Sequence, residues 1–236
     1  MTTEKSEYTK RFDGRKNDEA RKIVAKVGII PRADGSALFA FGDTIAIAAV
    51  YGPREFNPRH MQDPEKGVLR VHYDMLSFSV TERKRPGPSR RSSEISKVSE
   101  WALSPVLQLE NFPNKVVDVH INVLQANAST RVAGINAASM ALAHAGIPMT
   151  NLISAVSIGK MDKTLVVDVS KDEEDYEEGE GATDIAVAMD VNEDKVTLLQ
   201  LDGKINKKEL KEAISMAKEA GKKILIEQKN ALKKQI

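Results

Sequence analysis

Four short stretches of this 236-residue chain carry residue types that could do chemistry together. The first is Gln125-Ala126-Asn127-Ala128-Ser129-Thr130-Arg131. Small residues here join an alternating apolar run to a helical one, which places a helix N-terminus at the join. Free amides and the positive end of the helix dipole suit an oxyanion such as phosphate there. Ser129 and Thr130 add hydroxyl donors, and Arg131 adds a two-pronged guanidinium. The plainer reading of the same residues is a helix cap followed by a surface arginine. The Gly-Lys-Ser/Thr signature of a Walker loop is absent.

The second stretch is the acidic run Asp172-Glu173-Glu174-Asp175-Tyr176-Glu177-Glu178, followed by Asp184 just before the apolar run Ile185–Met189. Clustered carboxylates hold hard cations such as Mg²⁺, or keep a proton for use as a general acid. Acidic runs also occur as plain solvated loops. The third is the basic loop from Arg83 to Arg91, where Arg83, Lys84, Arg85, Arg90 and Arg91 could track a phosphodiester backbone. Pro86-Gly87-Pro88 keeps it extended, and its plain reading is a solubilising surface loop. The fourth is Arg11-Phe12-Asp13-Gly14-Arg15, a tight turn whose arginines could bridge to another element or subunit. His60, His72, His120 and His144 lack metal-ligand spacing. Together, an anion-binding helix end, a carboxylate pair and a cationic track are what attack of phosphate on a phosphodiester requires.

These residues must be positioned by surrounding elements. Residues 1–22 are polar and basic and read as a tail leading into the fold. A hairpin is expected from Ser36–Phe41 and Thr44–Tyr51 about Gly42-Asp43, and residues 53–67 read as a loop. Val68–Val80 and Val116–Leu124 alternate as half-buried strands. Between them, Ser92 or Ser93 can cap a helix with Ile95, Val98, Trp101 and Ala102 lining one face, and with a kink or new turn at Pro105. A second helix is expected from Arg131 to Ala145, ended by Gly146 and Pro148. Strands follow at 152–161, 165–169, 184–189 and 196–201. Asn206 and Glu209 then form a cap pair for a final amphipathic helix reaching about Leu232. This order predicts one mixed α/β domain, helices on sheet, spanning 11–236 behind a flexible tail at 1–10.

Composition narrows the function classes. The chain has no cysteine, which excludes disulfides and thiolate metal sites. Its net charge of +1 means that any nucleic-acid site must come from local charge. The start of the chain lacks the apolar run of a signal peptide, and no stretch is long and apolar enough for a membrane span, so a cytoplasmic protein with no membrane partner is expected.

The combination and order of several motifs resembles the RNase PH family, most closely its catalytic branch in the archaeal exosome. The motifs are Arg11–Arg15, Arg32-Ala33-Asp34-Gly35-Ser36-Ala37, Asp74–Ser79, the basic loop into Ser92-Ser93-Glu94-Ile95-Ser96, Asn122–Ala126 and Val196–Gly203. The resemblance implies an RNase PH-type βαβα fold (α+β, mixed sheets with packed helices) and a phosphorolytic 3′→5′ exoribonuclease that releases nucleoside diphosphates from single-stranded RNA. It implies a hexameric ring in which three copies alternate with three of an inactive sister subunit beneath RNA-binding cap proteins. By resemblance, Ser129, Thr130 and Arg131 bind inorganic phosphate as co-substrate. Asp175 and Asp184 serve Mg²⁺ or Mn²⁺ or act as general acid, and Arg90 and Arg91, with Arg85 and Lys84, hold RNA. Two departures stand out. The family usually carries glycine at or beside Ser129. The interval from Asp175 to Asp184 is also longer than the family pattern, as if residues were inserted between Glu177 and Gly181, which leaves Asp172 and Glu174 as alternatives for the first carboxylate. A homohexameric RNase PH trimming tRNA, or a non-catalytic RNA-binding ring subunit, are the competing readings.

Overall fold

The computed structural model describes Tyr8, residues 10–82 and residues 84–234. In chain order the elements are β1 (Ile23–Val27), β2 (Gly35–Phe41), β3 (Thr44–Glu55), β4 (Val68–Met75), α1 (Arg90–Leu103), β5 (Lys115–Gln125) and α2 (Thr130–His144). They continue with β6 (Ser154–Met161), β7 (Thr164–Val167), α3 (Lys171–Glu174), β8 (Ala182–Asp190), β9 (Lys195–Asp202) and α4 (Lys207–Lys233).

Two sheets result. The first runs β1-β2-β3-β5-β4, antiparallel except for the parallel β4–β5 pair, and the second runs β7-β6-β8-β9, antiparallel throughout. Helix α2 packs against strands of both sheets and is buried on nearly every side, which its Ala-rich sequence allows. Gly35 shows how close the packing is: a Cβ there would lie 2.4 Å from the Ala141 carbonyl oxygen on α2. The buried amide of Asn136 bridges α2 to the second sheet, donating to Ala155 O at 2.7 Å and accepting from Ala155 N at 2.9 Å. Gln228 of α4 donates to Asn136 Oδ1 and Ile153 O, joining the last helix to the same core. Asn206 and Glu209 form the expected reciprocal cap of α4.

Several local expectations are corrected. Helix α1 is capped by Ser89 and Ser92 reciprocally, so it begins earlier than a Ser92 or Ser93 cap allows and carries Arg90 and Arg91 in its first turn. Trp101 is 60% exposed and does not join the buried face of α1. β4 stops at Met75 because residues 76–82 turn back over the end of β5, where Ala126 N donates to Ser79 O. The segment read as a tail is anchored at Tyr8 and at Arg11, both of which are buried. Arg83 and residues 1–7 and 9 lie outside the described residues. Among the described residues no helix is long and apolar enough to cross a membrane.

Candidate active site

Strand β5 ends at Gln125, and the chain turns sharply through Ala128 and Ser129, both at positive φ, before α2 starts at Thr130. Positive φ strains residues with a Cβ, so a glycine would be relaxed at this turn where Ala128 and Ser129 are not. The turn is held from below. Thr44 Oγ1 accepts from Asn127 N at 3.1 Å and lies within hydrogen-bond reach of the Asn127 and Ala128 carbonyls. Arg21 donates to Asn127 O at 2.7 Å while its fork grips the buried carboxylate of Asp168 at 2.7 and 2.8 Å. Ser129 Oγ bonds to Ser157 Oγ, Asp168 and the Val169 carbonyl. Its hydroxyl is therefore spent on fixing the turn and is not a free phosphate donor, a correction to its expected role. Ser129 makes no side-chain cap of α2, which leaves the first-turn amides of Thr130, Arg131 and Val132 without one among the described residues, at a helix end that lines the cleft.

Those amides border a cavity of about 780 Å³ lined by Ser129, Thr130, Arg131, Arg91, Glu174, Asp184 and the exposed ring of Phe78, among others. A second cavity of about 910 Å³ shares Arg91, Arg131, Glu174 and Asp184 and adds Arg90, Glu94, Gln200 and Asp202. The two form one cleft. Arg131 donates to Gln200 at 2.5 Å, and its Nε is buried with no hydrogen-bond partner among the described residues.

Asp184 stands on β8, in register opposite Asp202 of β9. Its Oδ1 is buried and has no hydrogen-bond partner among the described residues. Burial pushes its pKa up to about 6, with Glu174 and Asp202 adding to the rise and Arg131 and Arg91 opposing it. A carboxylic acid poised near neutrality inside a cleft is suited to proton transfer.

Asp175 is not brought to this place. Successive helical residues point about 100° apart, so on the single turn of α3 the burial of one carboxylate decides where the next two point. Glu173 is the buried one. Arg11 grips it at 2.7 and 2.8 Å, Tyr8 donates to it at 2.9 Å, and its second oxygen accepts from Ser170 N. Glu174 is thereby turned into the cleft. Asp175 faces solvent, its side chain 62% exposed and paired with Lys171 at 2.7 Å. Asp172 is also exposed and absent from both cavities. Arg90 and Arg91 are exposed at the cleft rim. Lys84 is instead paired with Asp74 at 2.6 Å and bonded to the Met75 carbonyl, and neither it nor the exposed Arg85 lines the cleft. Sequence reasoning missed Arg21, Asp168, Gln200 and Phe78 as parts of the site. Gln200 and Phe78 lay inside the family motifs Val196–Gly203 and Asp74–Ser79, while Arg21 and Asp168 carried no local signal.

The cleft thus brings the first turn of a buried helix, an arginine and a carboxyl group poised near neutrality to one place, an arrangement whose chemistry suits an anionic group. Residues 19–148 match the 3′ exoribonuclease family, domain 1, and residues 151–220 match domain 2 of the same RNase PH family. The chain is 52% identical to the exosome complex component Rrp41 of Thermococcus gammatolerans over 96% of its own length and 90% of that protein. It is 49% identical to the Rrp41 component of Methanopyrus kandleri, covering 97% and 94% of the two chains. In fold it is similar to rice Rrp46 (TM-score 0.84, 24% identity, 94% and 100% covered) and to a chain of the Archaeoglobus fulgidus exosome with RNA bound to the active site (TM-score 0.77, 24% identity, 91% of each covered). The chain belongs to the RNase PH family of 3′ exoribonucleases.

Proposed function

We propose that this exoribonuclease works by phosphorolysis, as a catalytic subunit of an exosome ring of the archaeal kind. The observation that carries the reading is the meeting of Arg131, the α2 amides and the buried Asp184 in one cleft. Inorganic phosphate rests on the amides of α2 and on Arg131, with the Thr130 hydroxyl beside it. A phosphate oxygen attacks the last internucleotide phosphorus, and the bond from that phosphorus to the 3′ oxygen of the preceding nucleotide breaks. Asp184, protonated, gives its proton to the leaving 3′ oxygen, and the product is a nucleoside diphosphate. The reverse reaction extends a 3′ end from nucleoside diphosphates. Arg90 and Arg91 at the rim hold the RNA backbone.

In this reading a cation would be held by Asp184 and Glu174 rather than by Asp175: both line the cleft, and the unpartnered Oδ1 of Asp184 with the Glu174 carboxylate, which also meets Lys171 at 3.3 Å, would supply oxygen donors of the kind that Mg²⁺ or Mn²⁺ prefers. Two carboxylates are few, and the rest of the shell would be water and substrate oxygens, as is common for Mg²⁺. Such an ion would neutralise charge on the phosphates, and it would compete with the proton on Asp184.

The kinship to Rrp41 components supports an assembly of three such chains with three of an inactive sister, RNA-binding caps above it, and a cytoplasmic site of action. The test is an assay on single-stranded RNA with the sister subunit supplied. Nucleoside diphosphates appearing only when phosphate is present are expected; phosphate-independent release of monophosphates overturns the reading. Replacing Arg90 and Arg91 with alanine is expected to weaken RNA binding and to flatten its dependence on log salt by roughly 1.4, about 0.7 for each lost single-strand phosphate contact. Both residues are exposed, so the fold should be unaffected. An unchanged salt slope removes them from the RNA path.

A further inference from the structure

Strand β9 presents Gln200 to the cleft two residues before Asp202 and opposite Ala186 of β8. Gln200 and Asp202 therefore share a face with Asp184, since alternate strand residues point the same way. The small side chain of Ala186 leaves room above it. Gln200 Oε1 accepts from Arg131 Nη1, and its Nε2 donates to Glu94 Oε1 at 3.1 Å. One amide thus ties β9 to the first turn of α2 and to α1 one turn beyond Arg90 and Arg91. Its two ends are matched to two different partners, an acceptor for the guanidinium and a donor for the carboxylate.

We propose that Gln200 is a positioning residue for phosphate, holding Arg131 in the orientation that turns its remaining donors into the cleft. This rests on the reading of Arg131 as a phosphate ligand. An arginine side chain is long, and ordering it costs rotamer freedom. Gln200 takes one Nη1 hydrogen for the anchor and leaves the remaining guanidinium donors without a hydrogen-bond partner among the described residues. A neutral amide suits this task. It fixes the guanidinium without cancelling its charge, as a carboxylate at the same position would. Glu94 at the far end keeps the amide from turning over, because reversal would set its oxygen against the carboxylate.

The test is steady-state phosphorolysis by the chain assembled with its exosome partner, using Gln200→Met, Glu94→Ala, Arg131→Lys and the double variant Gln200→Met/Arg131→Lys. Gln200→Met is expected to raise KM for inorganic phosphate about tenfold, the effect of one misplaced charge-assisted hydrogen bond, with kcat within about twofold of the parent. Glu94→Ala, at an exposed position, is expected to raise the same KM by a smaller factor and serves if Gln200→Met does not fold. On the Arg131→Lys background, Gln200→Met is expected to add nothing. An unchanged phosphate KM in both single variants overturns the proposal, as does an undiminished effect of Gln200→Met in the double variant. If Arg131→Lys itself leaves the phosphate KM unchanged, the reading of Arg131 fails, and this proposal fails with it; a raised KM there with no effect at Gln200 or Glu94 overturns this proposal alone.

Discussion

Asp184→Asn is expected to abolish phosphorolysis, lowering the rate by at least the roughly 10²–10⁴-fold that a general acid contributes, while the protein becomes more stable at neutral pH. The second half of this expectation separates a chemical role from a structural one. Burial raises the pKa of Asp184 from 3.8 to about 6. Between those values the folded chain binds a proton that the unfolded chain has released, so stability falls as pH rises through that window. The loss is complete above about pH 6 and amounts to about 3 kcal/mol, since each tenfold change in proton affinity is worth about 1.4 kcal/mol. Asparagine cannot ionise and escapes it. Melting curves should coincide near pH 4 and diverge toward pH 8, with the variant melting higher. Diphosphate release by Asp184→Asn at the parent rate would refute the acid role. Equal melting points at pH 8 would refute the buried, unpartnered carboxyl.

Arg11→Met is expected to cost about 3–5 kcal/mol, because it strands the carboxylate of Glu173 in the interior. For a chain of this size each kcal/mol moves the melting point by about 2–4 °C, so the change should be easily seen. Burial by itself raises the pKa of Glu173, but the hydrogen bonds and charge of Arg11 override it, and the net displacement is downward. A depressed carboxylate stabilises the fold at pH values above its unfolded pKa, and that contribution disappears only as pH falls through the folded value. The pair therefore operates across the whole neutral range. The double variant Arg11→Met/Glu173→Met should regain much of the loss, since an apolar pair of similar volume leaves no stranded charge. Loss of less than about 1 kcal/mol in Arg11→Met would mean that the pair behaves as a surface one does. Even where Arg11→Met folds, activity should drop, because α3 is no longer held in the rotation that turns Glu174 to the cleft.

This pair also marks the limit of what the sequence discloses. Arg131 and Asp184 were legible because each stands at an element boundary that local pattern can find, one where strand gives way to helix and one near the start of an apolar strand. The α4 cap at Asn206 and Glu209 and the hairpin of β2 and β3 were legible for the same reason. The choice between Asp175 and Glu174 was not local. It depends on the rotation of a four-residue helix, and that rotation is set by an arginine 162 residues earlier. The motif Arg11–Arg15 announced a bridge without naming its far end. The role of Ser129 is hidden for a related reason: Ser157, Asp168 and Val169, which occupy its hydroxyl, come from the second sheet and the segment that follows it, and nothing near Ser129 in sequence points to them.

The burial of α2 on nearly every side has a consequence for how this enzyme could diversify. A Cβ at Gly134 would lie 2.8 Å from Ile121 Cγ2 on the first sheet, so a larger side chain there pushes helix and sheet apart, and the first-turn amides at the end of the helix would move with it. The anion site proposed at that helix end and the architecture are therefore inherited as one unit. Change in which RNA is accepted, or how fast it passes, is left to parts that one substitution can alter without disturbing the other sheet: the rim arginines of α1, the loop that carries Phe78, and the acidic segment after α3.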